Sequence, residues 1–203
     1  MRAASRSGAV KFDWYDPSTW DDALRGADAA YLAYLPDVGA PGAGEAVGAP
    51  ARRAVEPGVR HLVLLSARGE DQAEPAERAV RESGAQWTVV RASWFAQNLS
   101  EGPLLEGMRA GELVFPAREV LEPFIDSRDI ADVVVAVPRP GSGYAGRGVQ
   151  VSGPRPLSFR DAVAEVSAAT GREIRYVRTR DGPEFQPVRA PTPAASPRSP
   201  QAS

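Results

Sequence analysis

Residue types that chemistry depends on are scarce in this 203-residue chain, and the scarcity is informative. There is no cysteine, which excludes thiol nucleophiles, disulfides and cysteine-held zinc. A single histidine, His61, excludes paired-histidine metal sites, so no metal centre is expected. Lys11 is the only lysine, so neither a Gly-Lys-Ser/Thr phosphate loop nor a Tyr-x-x-x-Lys catalytic pair can be written. What remains is the run Trp94-Phe95-Ala-Gln-Asn98 and some isolated polar groups. An aromatic wall beside an amide suits a flat or cationic small molecule. The competing use of Trp94 and Phe95 is loop–core packing, and that of Asn98 is a helix N-cap. Ser66 lacks a basic partner, so a serine nucleophile is not expected. Asp126 is expected to begin a helix rather than act as an acid. His61, at the start of a strand, is expected to be structural.

Such groups need a scaffold, and the hydrophobic pattern alternates short strands with helices. Strands are expected at Ala3–Ser5, Ala9–Phe12, Ala29–Leu35, His61–Ser66 and Trp87–Arg91, with weaker ones at Pro123–Ile125, Val149–Ser152 and Glu173–Val177. His61-Leu-Val-Leu-Leu-Ser66 lacks polar alternation, which suits a strand covered on both faces of a parallel sheet. Ser18-Thr-Trp-Asp21 reads as a capping box with Gly26 past the helix end. Ser127 opens a helix whose Ile130, Val133, Val134 and Val137 form one apolar stripe, stopped by Pro138. Ser158-Phe-Arg-Asp161 caps another, ending at Gly171. Between Pro36 and Gly58 the prolines leave room for only a turn or two at Ala51–Val55. The pattern predicts an α/β fold with a doubly wound parallel sheet.

Composition sets outer bounds. The net charge of −2 argues against a protein built mainly to hold nucleic acid. No run of about 18 apolar residues is present, so no membrane span is expected. Met1–Val10 carries two arginines but no apolar core of a secretion signal, and cytoplasmic residence is the expectation. Six prolines between Pro183 and Pro200 predict a disordered tail.

Several segments, in order along the chain, resemble the NmrA-like branch of the atypical short-chain dehydrogenases/reductases, and within it the bacterial relatives of ergot-alkaloid (festuclavine or agroclavine) dehydrogenases. They are Arg2-Ala-Ala-Ser-Arg6-Ser7, Val10-Lys-Phe-Asp-Trp-Tyr-Asp16, Ala30-Tyr-Leu32, Gly58-Val-Arg-His-Leu-Val-Leu-Leu-Ser66-Ala67, Trp87-Thr-Val-Val-Arg91-Ala-Ser-Trp94-Phe95-Ala-Gln-Asn98, Phe124-Ile-Asp126-Ser-Arg-Asp129-Ile-Ala131 and Ser152-Gly-Pro154.

The resemblance implies a Rossmann-like domain that binds NAD(P)H at the carboxyl ends of its strands. Ser5, Arg6 and Ser7 would hold a ribose 2′-phosphate, favouring NADP(H) over NAD(H); the plainer use of Arg6 is a solvated loop arginine. Asp13 and Trp14 would lie near the adenine, Tyr34, Leu35 and Pro36 beside the ribose, and Ser66 and Ala67 near the nicotinamide. Trp94, Phe95 and Asn98 would face substrate. The family's glycine-rich strand–turn–helix is not found in these residues; Gly39–Gly48 is glycine-rich but follows the wrong strand. The expectation is therefore a sheet lacking its first strand, the one normally between those carrying Arg6 and Tyr34.

Three units are expected: 1–137, a truncated NAD(P)-binding domain; 138–180, a small substrate-side α/β extension; and 181–203, the tail. The functional expectation is an NADP(H)-dependent oxidoreductase-like protein acting on a small quinone- or iminium-type molecule. The alternatives are a non-catalytic NAD(P)-sensing regulator acting through a protein partner, and an inactive truncated copy.

Overall fold

The computed structural model describes residues 2–117 and 120–179. Its elements in chain order are β1 (Ala4–Ser5), β2 (Val10–Lys11), α1 (Trp20–Leu24), β3 (Ala29–Leu32), α2 (Ala43–Arg53), β4 (His61–Ala67), α3 (Glu74–Arg81), β5 (Gln86–Ala92), α4 (Leu105–Ala110), β6 (Glu112–Phe115), α5 (Ser127–Ala136), β7 (Arg147–Val151), α6 (Phe159–Thr170) and β8 (Arg175–Arg178). Every strand pair among the described residues is parallel. β1 pairs with β2, β6 with β8, and the main sheet runs β3-β4-β5-β7.

β4 is the spine of the main sheet, in register with β5 from His61↔Gln86 to Ala67↔Ala92. Its side chains alternate between two apolar cores. Leu62 and Leu64 pack with Val47, Ala76 and Val80 of α2 and α3. Val63 packs with Ile130, Val134 and Val137 at α5. Helices therefore cover both sheet faces, the doubly wound arrangement expected. A third core joins Leu99, Met108, Leu113, Phe159, Val163 and Ile174 around α4, α6 and the β6–β8 pair. β7 lies within 138–180, yet it extends the main sheet beside β5.

Three local expectations are corrected. The crossover after β3 is a full helix, α2, with Pro50 inside it. The proline removes one donor, but Val47 and Ala51 are wholly buried, and tertiary burial overrides propensity. Gly44 and Gly48 bring α2 close to α3: a Cβ on Gly44 would stand 2.9 Å from the Pro75 Cβ, and one on Gly48 2.9 Å from the Ala79 Cβ. No capping box forms at Ser18: α1 follows a 3₁₀ turn, Pro17–Thr19, whose N-cap Asp16 accepts from the Ser18 amide, and Thr19 at the start of α1 makes no side-chain cap bond. Pro123–Ile125 forms no strand: Ile125 makes a single bridge to Phe95, and the neighbouring Glu122 one to Leu157. By contrast, the Ser158–Asp161 capping box and the left-handed Gly171 match the sequence pattern. The expected tail, 181–203, lies outside the described residues.

Candidate functional site

In a parallel sheet all carboxyl ends lie on one edge, so Tyr34–Pro36, Ser66–Ala67 and Ser93–Asn98 follow neighbouring strand tips. The short β1–β2 pair reaches the same edge through aromatic contacts. Trp14, just past β2, meets Tyr34, just past β3, edge-to-face at 5.2 Å, and Phe12 meets Trp14 at 5.0 Å. The Tyr15 and Tyr34 hydroxyls are 2.5 Å apart. Burial, with the Tyr15 hydroxyl second, pushes the Tyr34 phenol well above its ordinary range, so it stays neutral. Sequence reasoning does not single out Tyr15.

β1 and β2 are two residues each, joined by the four residues Arg6–Ala9. Parallel strands normally need a long crossover, but strands this short rise only about 7 Å, which four residues can retrace. Ser5, Arg6 and Ser7 are exposed there. The Lys11 ammonium donates to the Arg6 carbonyl at 3.2 Å, which places a second cation beside the arginine. Asp13 is turned into its own loop: its Oδ1 accepts from the Tyr15 amide, and its carbonyl accepts from the Trp20 indole at 2.7 Å. Leu35 is 74% exposed and precedes Pro36 through a cis peptide.

Ser66 is engaged elsewhere. Its Oγ donates to Oε1 of Glu77 at 2.7 Å, and Glu77, 3% exposed, also accepts from Arg91 at 2.8 and 2.5 Å and from Arg81 at 3.3 Å. Burial pushes the Glu77 carboxyl up, but the bonds from Arg91 and Ser66 hold it net below its usual range. The network ties β4, β5 and α3 together directly behind the edge. Ala67 is half-buried at the same strand tip.

The Trp94 ring packs on Phe115 at 5.6 Å and on Phe159 at 5.2 Å, so it serves the third core as well as the edge. Its amide donates to the Glu122 carboxylate at 3.1 Å. Phe95 bridges to Ile125. Asn98 caps no helix; it sits inside a 3₁₀ turn, Ala96–Leu99, for which Phe95 is the N-cap. Asp126 begins α5, accepting from the Arg128 amide at 2.8 Å and from Gln97 at 3.0 Å, and these bonds lower its carboxyl. His61 is at the opposite end of β4, where Thr88 donates to the Tyr144 carbonyl at 2.8 Å. That hydroxyl must then accept from His61 Nε2 at 2.9 Å.

A dinucleotide fits two parts of this edge and not a third. The exposed Arg6 and Lys11 suit an anionic phosphate, and the Trp14–Tyr34 pair suits a flat base. The glycine-rich turn that opens α2 does not suit a diphosphate. A Cβ on Gly39 would stand 3.5 Å from both an Asp37 and a Glu70 carboxylate oxygen, so two acids face that turn. Burial, followed by the Asp37 charge, pushes the Glu70 carboxyl up.

A parallel sheet with helices on both faces and polar groups at its carboxyl edge is a Rossmann-like nucleotide fold. No family model matches the chain. It is 36% identical over 172 residues to (4-alkanoyl-5-oxo-2,5-dihydrofuran-3-yl)methyl phosphate reductase of Streptomyces griseus, covering 79% of this chain and 58% of that protein. It is 28% identical over 169 residues to prestalk A differentiation protein A of Dictyostelium discoideum, covering 82% and 55%. With festuclavine dehydrogenase of Aspergillus fumigatus it shares 27% over 189 residues, covering 82% and 61%. Among solved structures it resembles an NADPH-dependent quinone oxidoreductase of Escherichia coli complexed with NADPH (TM-score 0.67, 18% identity, 84% and 62% of the two chains). It also resembles NmrA carrying two glycine substitutions (TM-score 0.62, 21% identity, 80% and 56%). In sequence and fold the chain thus resembles the NmrA-like atypical short-chain dehydrogenases/reductases. It spans between half and two thirds of the length of these relatives. No helix among the described residues is long and apolar enough to cross a membrane.

Proposed function

We propose that the chain binds a nicotinamide dinucleotide across the tips of β1, β3 and β4 and serves as an NADP(H)-dependent oxidoreductase acting on a small quinone- or iminium-type molecule. The observation that carries this reading is the Trp14–Tyr34 contact, which brings the loop after β2 to the main sheet's carboxyl edge. Ser5, Arg6 and Ser7, with Lys11 beside them, would hold the 2′-phosphate. Asp13 and Trp14 would flank the adenine, and Tyr34, Leu35 and Pro36 the ribose. Ser66 and Ala67 would meet the nicotinamide, and Trp94, Phe95 and Asn98 the substrate. When bound, the cofactor supplies hydride. An iminium acceptor carbon is already cationic, so its reduction needs little help from an acid, which suits a chain without a Tyr-x-x-x-Lys pair.

A second reading is a dinucleotide-sensing module without turnover. It is favoured by the commitment of the Ser66 hydroxyl to Glu77, which leaves the β4 tip no free proton donor on that side chain.

The test is titration of the purified chain with NADPH and NADH, followed by tryptophan fluorescence and melting temperature, and then by nicotinamide absorbance with a quinone and an iminium acceptor. Tighter NADPH binding with loss of absorbance supports the first reading, and binding without consumption the second. If neither dinucleotide quenches fluorescence or raises the melting temperature, both fail and the inactive-copy reading stands.

A further inference from the structure

Beside the Trp94–Asn98 segment, between the 3₁₀ turn Ala96–Leu99 and α6, lies a cavity of about 270 Å³, open to solvent on one side, whose apolar walls include Leu99, Phe124, Leu157 and Val166. Neighbouring packing fixes its walls. Phe124 stands edge-on to Phe159 at 5.2 Å, and the Phe159 ring also meets Trp94. A Cβ on Gly153 would overlap the Phe124 carbonyl oxygen, so only glycine lets the two segments approach this closely. Glu122 and Leu157 exchange two backbone hydrogen bonds, at 2.8 and 3.0 Å.

The polar groups of this cavity have a definite polarity. Arg155 Nη2 donates to Glu165 Oε2 at 2.8 Å, its Nη1 stands 2.7 Å from Oε1 as an ion pair, and the two side chains are 60% and 48% exposed. The pair uses one of the five guanidinium donors in a hydrogen bond and neutralises the carboxylate. Among the described residues the remaining N–H groups of Arg155 have no hydrogen-bond partner. A neutral carbonyl oxygen can accept from them without breaking the pair, whereas a ligand carboxylate or cation must compete with it. Size narrows the class further. Benzene fills an apolar cavity of about 150 Å³, so this one has room for a fused pair of rings.

We propose that this cavity binds a neutral, flat carbonyl compound of one or two rings, its apolar edge against Phe124, Leu157 and Val166 and one carbonyl oxygen on Arg155. The inference rests on the oxidoreductase reading only for the choice of the quinone class; the cavity adjoins the Trp94–Asn98 segment through Ala96 and is a second place for such a ligand, apart from the face assigned to Trp94, Phe95 and Asn98.

The experiment uses the whole chain with menadione as the probe, naphthalene as its carbonyl-free counterpart, and NADPH titrated separately. The wild type binds menadione. Val166→Trp, which fills the cavity, weakens menadione at least tenfold. Arg155→Ala, an exposed change that leaves the fold intact, weakens menadione by about tenfold and naphthalene less than twofold, as loss of one charge-assisted hydrogen bond requires. No menadione binding by the wild type, or equal binding by wild type and Arg155→Ala, overturns the proposal. If menadione binds as described while NADPH does not, the cavity stands and the oxidoreductase reading falls. If NADPH binds and both variants hold menadione like the wild type, the reverse holds.

Discussion

Ser66, at the tip of β4, donates its hydroxyl proton to Glu77 on α3 at 2.7 Å, and through Glu77 it is joined to Arg91 of β5. One carboxylate thus secures two neighbouring strands and the helix that covers them. Because Glu77 is 3% exposed, removing it strands the Arg91 guanidinium and the Ser66 hydroxyl, while Arg81 keeps its bond to Glu74. Glu77→Ala is expected to cost about 3 kcal/mol, the low end for breaking a buried pair. The low end applies because the Arg91 and Arg81 side chains keep 34% and 26% exposure. For a chain of this size that is roughly 6–12 °C in melting temperature. Thermal denaturation decides it; a loss below about 1 kcal/mol would mean the network is solvated in solution.

Acid should weaken the fold before the carboxylates titrate. Burial lowers the pKa of His61 from its ordinary 6.5, so below that pH the unfolded chain takes up a proton that the folded chain refuses. Stability is then fully present above 6.5 and declines as pH falls toward the folded value, by at most about 1.4 kcal/mol per pH unit. As the only histidine, His61 can be followed directly by nuclear magnetic resonance. A ring titrating at or above 6.5 contradicts its placement between β4 and Thr88.

The α2–α3 contact predicts an inverted response to a helix-favouring change. Gly44→Ala gains about 1 kcal/mol of helix propensity. It also brings a methyl to 2.9 Å from the Pro75 Cβ and 3.1 Å from the Pro75 carbonyl, neither of which can swing aside. Overpacking of about 1–3 kcal/mol should win, giving a net loss of about 1 kcal/mol in urea unfolding. A stabilised variant would show that the two helices separate easily.

Cofactor preference should reside in one exposed side chain. If Arg6 meets the 2′-phosphate, Arg6→Ala weakens NADPH by about 10- to 100-fold, the loss of one or two charge-assisted bonds. NADH should change less than twofold. Parallel losses for both dinucleotides would place Arg6 at another part of the cofactor, or away from it.

Legibility in the sequence follows locality. The buried run His61–Ser66, the stripe Ile130–Val137 and the Ser158 capping box depend on neighbours a few residues apart, and all are found. α2 is hidden because its stability comes from Pro75 and Ala79 on another helix, against the local preference of its own prolines. The commitment of Ser66 is hidden for the same reason, since its partners lie 11 and 25 residues away on separate elements. In sequence Trp94 suits either wall or core; its contacts with Phe115 and Phe159 place it in the core, while its backbone stays at the edge. The Arg155–Glu165 cavity leaves no local trace, because its walls come from segments on either side of Ile125 and from α6.

Among the described residues β3 pairs with β4 on one side only, and its sequence Ala29-Ala-Tyr-Leu32 carries no charge or proline to discourage another strand from docking. Tyr31 is 40% exposed on that strand. An open margin of this kind can accept a further strand by backbone hydrogen bonding, so side-by-side association of copies is the expected outcome at high concentration, read by light scattering. Tyr31→Lys is expected to lower that scattering, since a charge on an edge strand opposes docking.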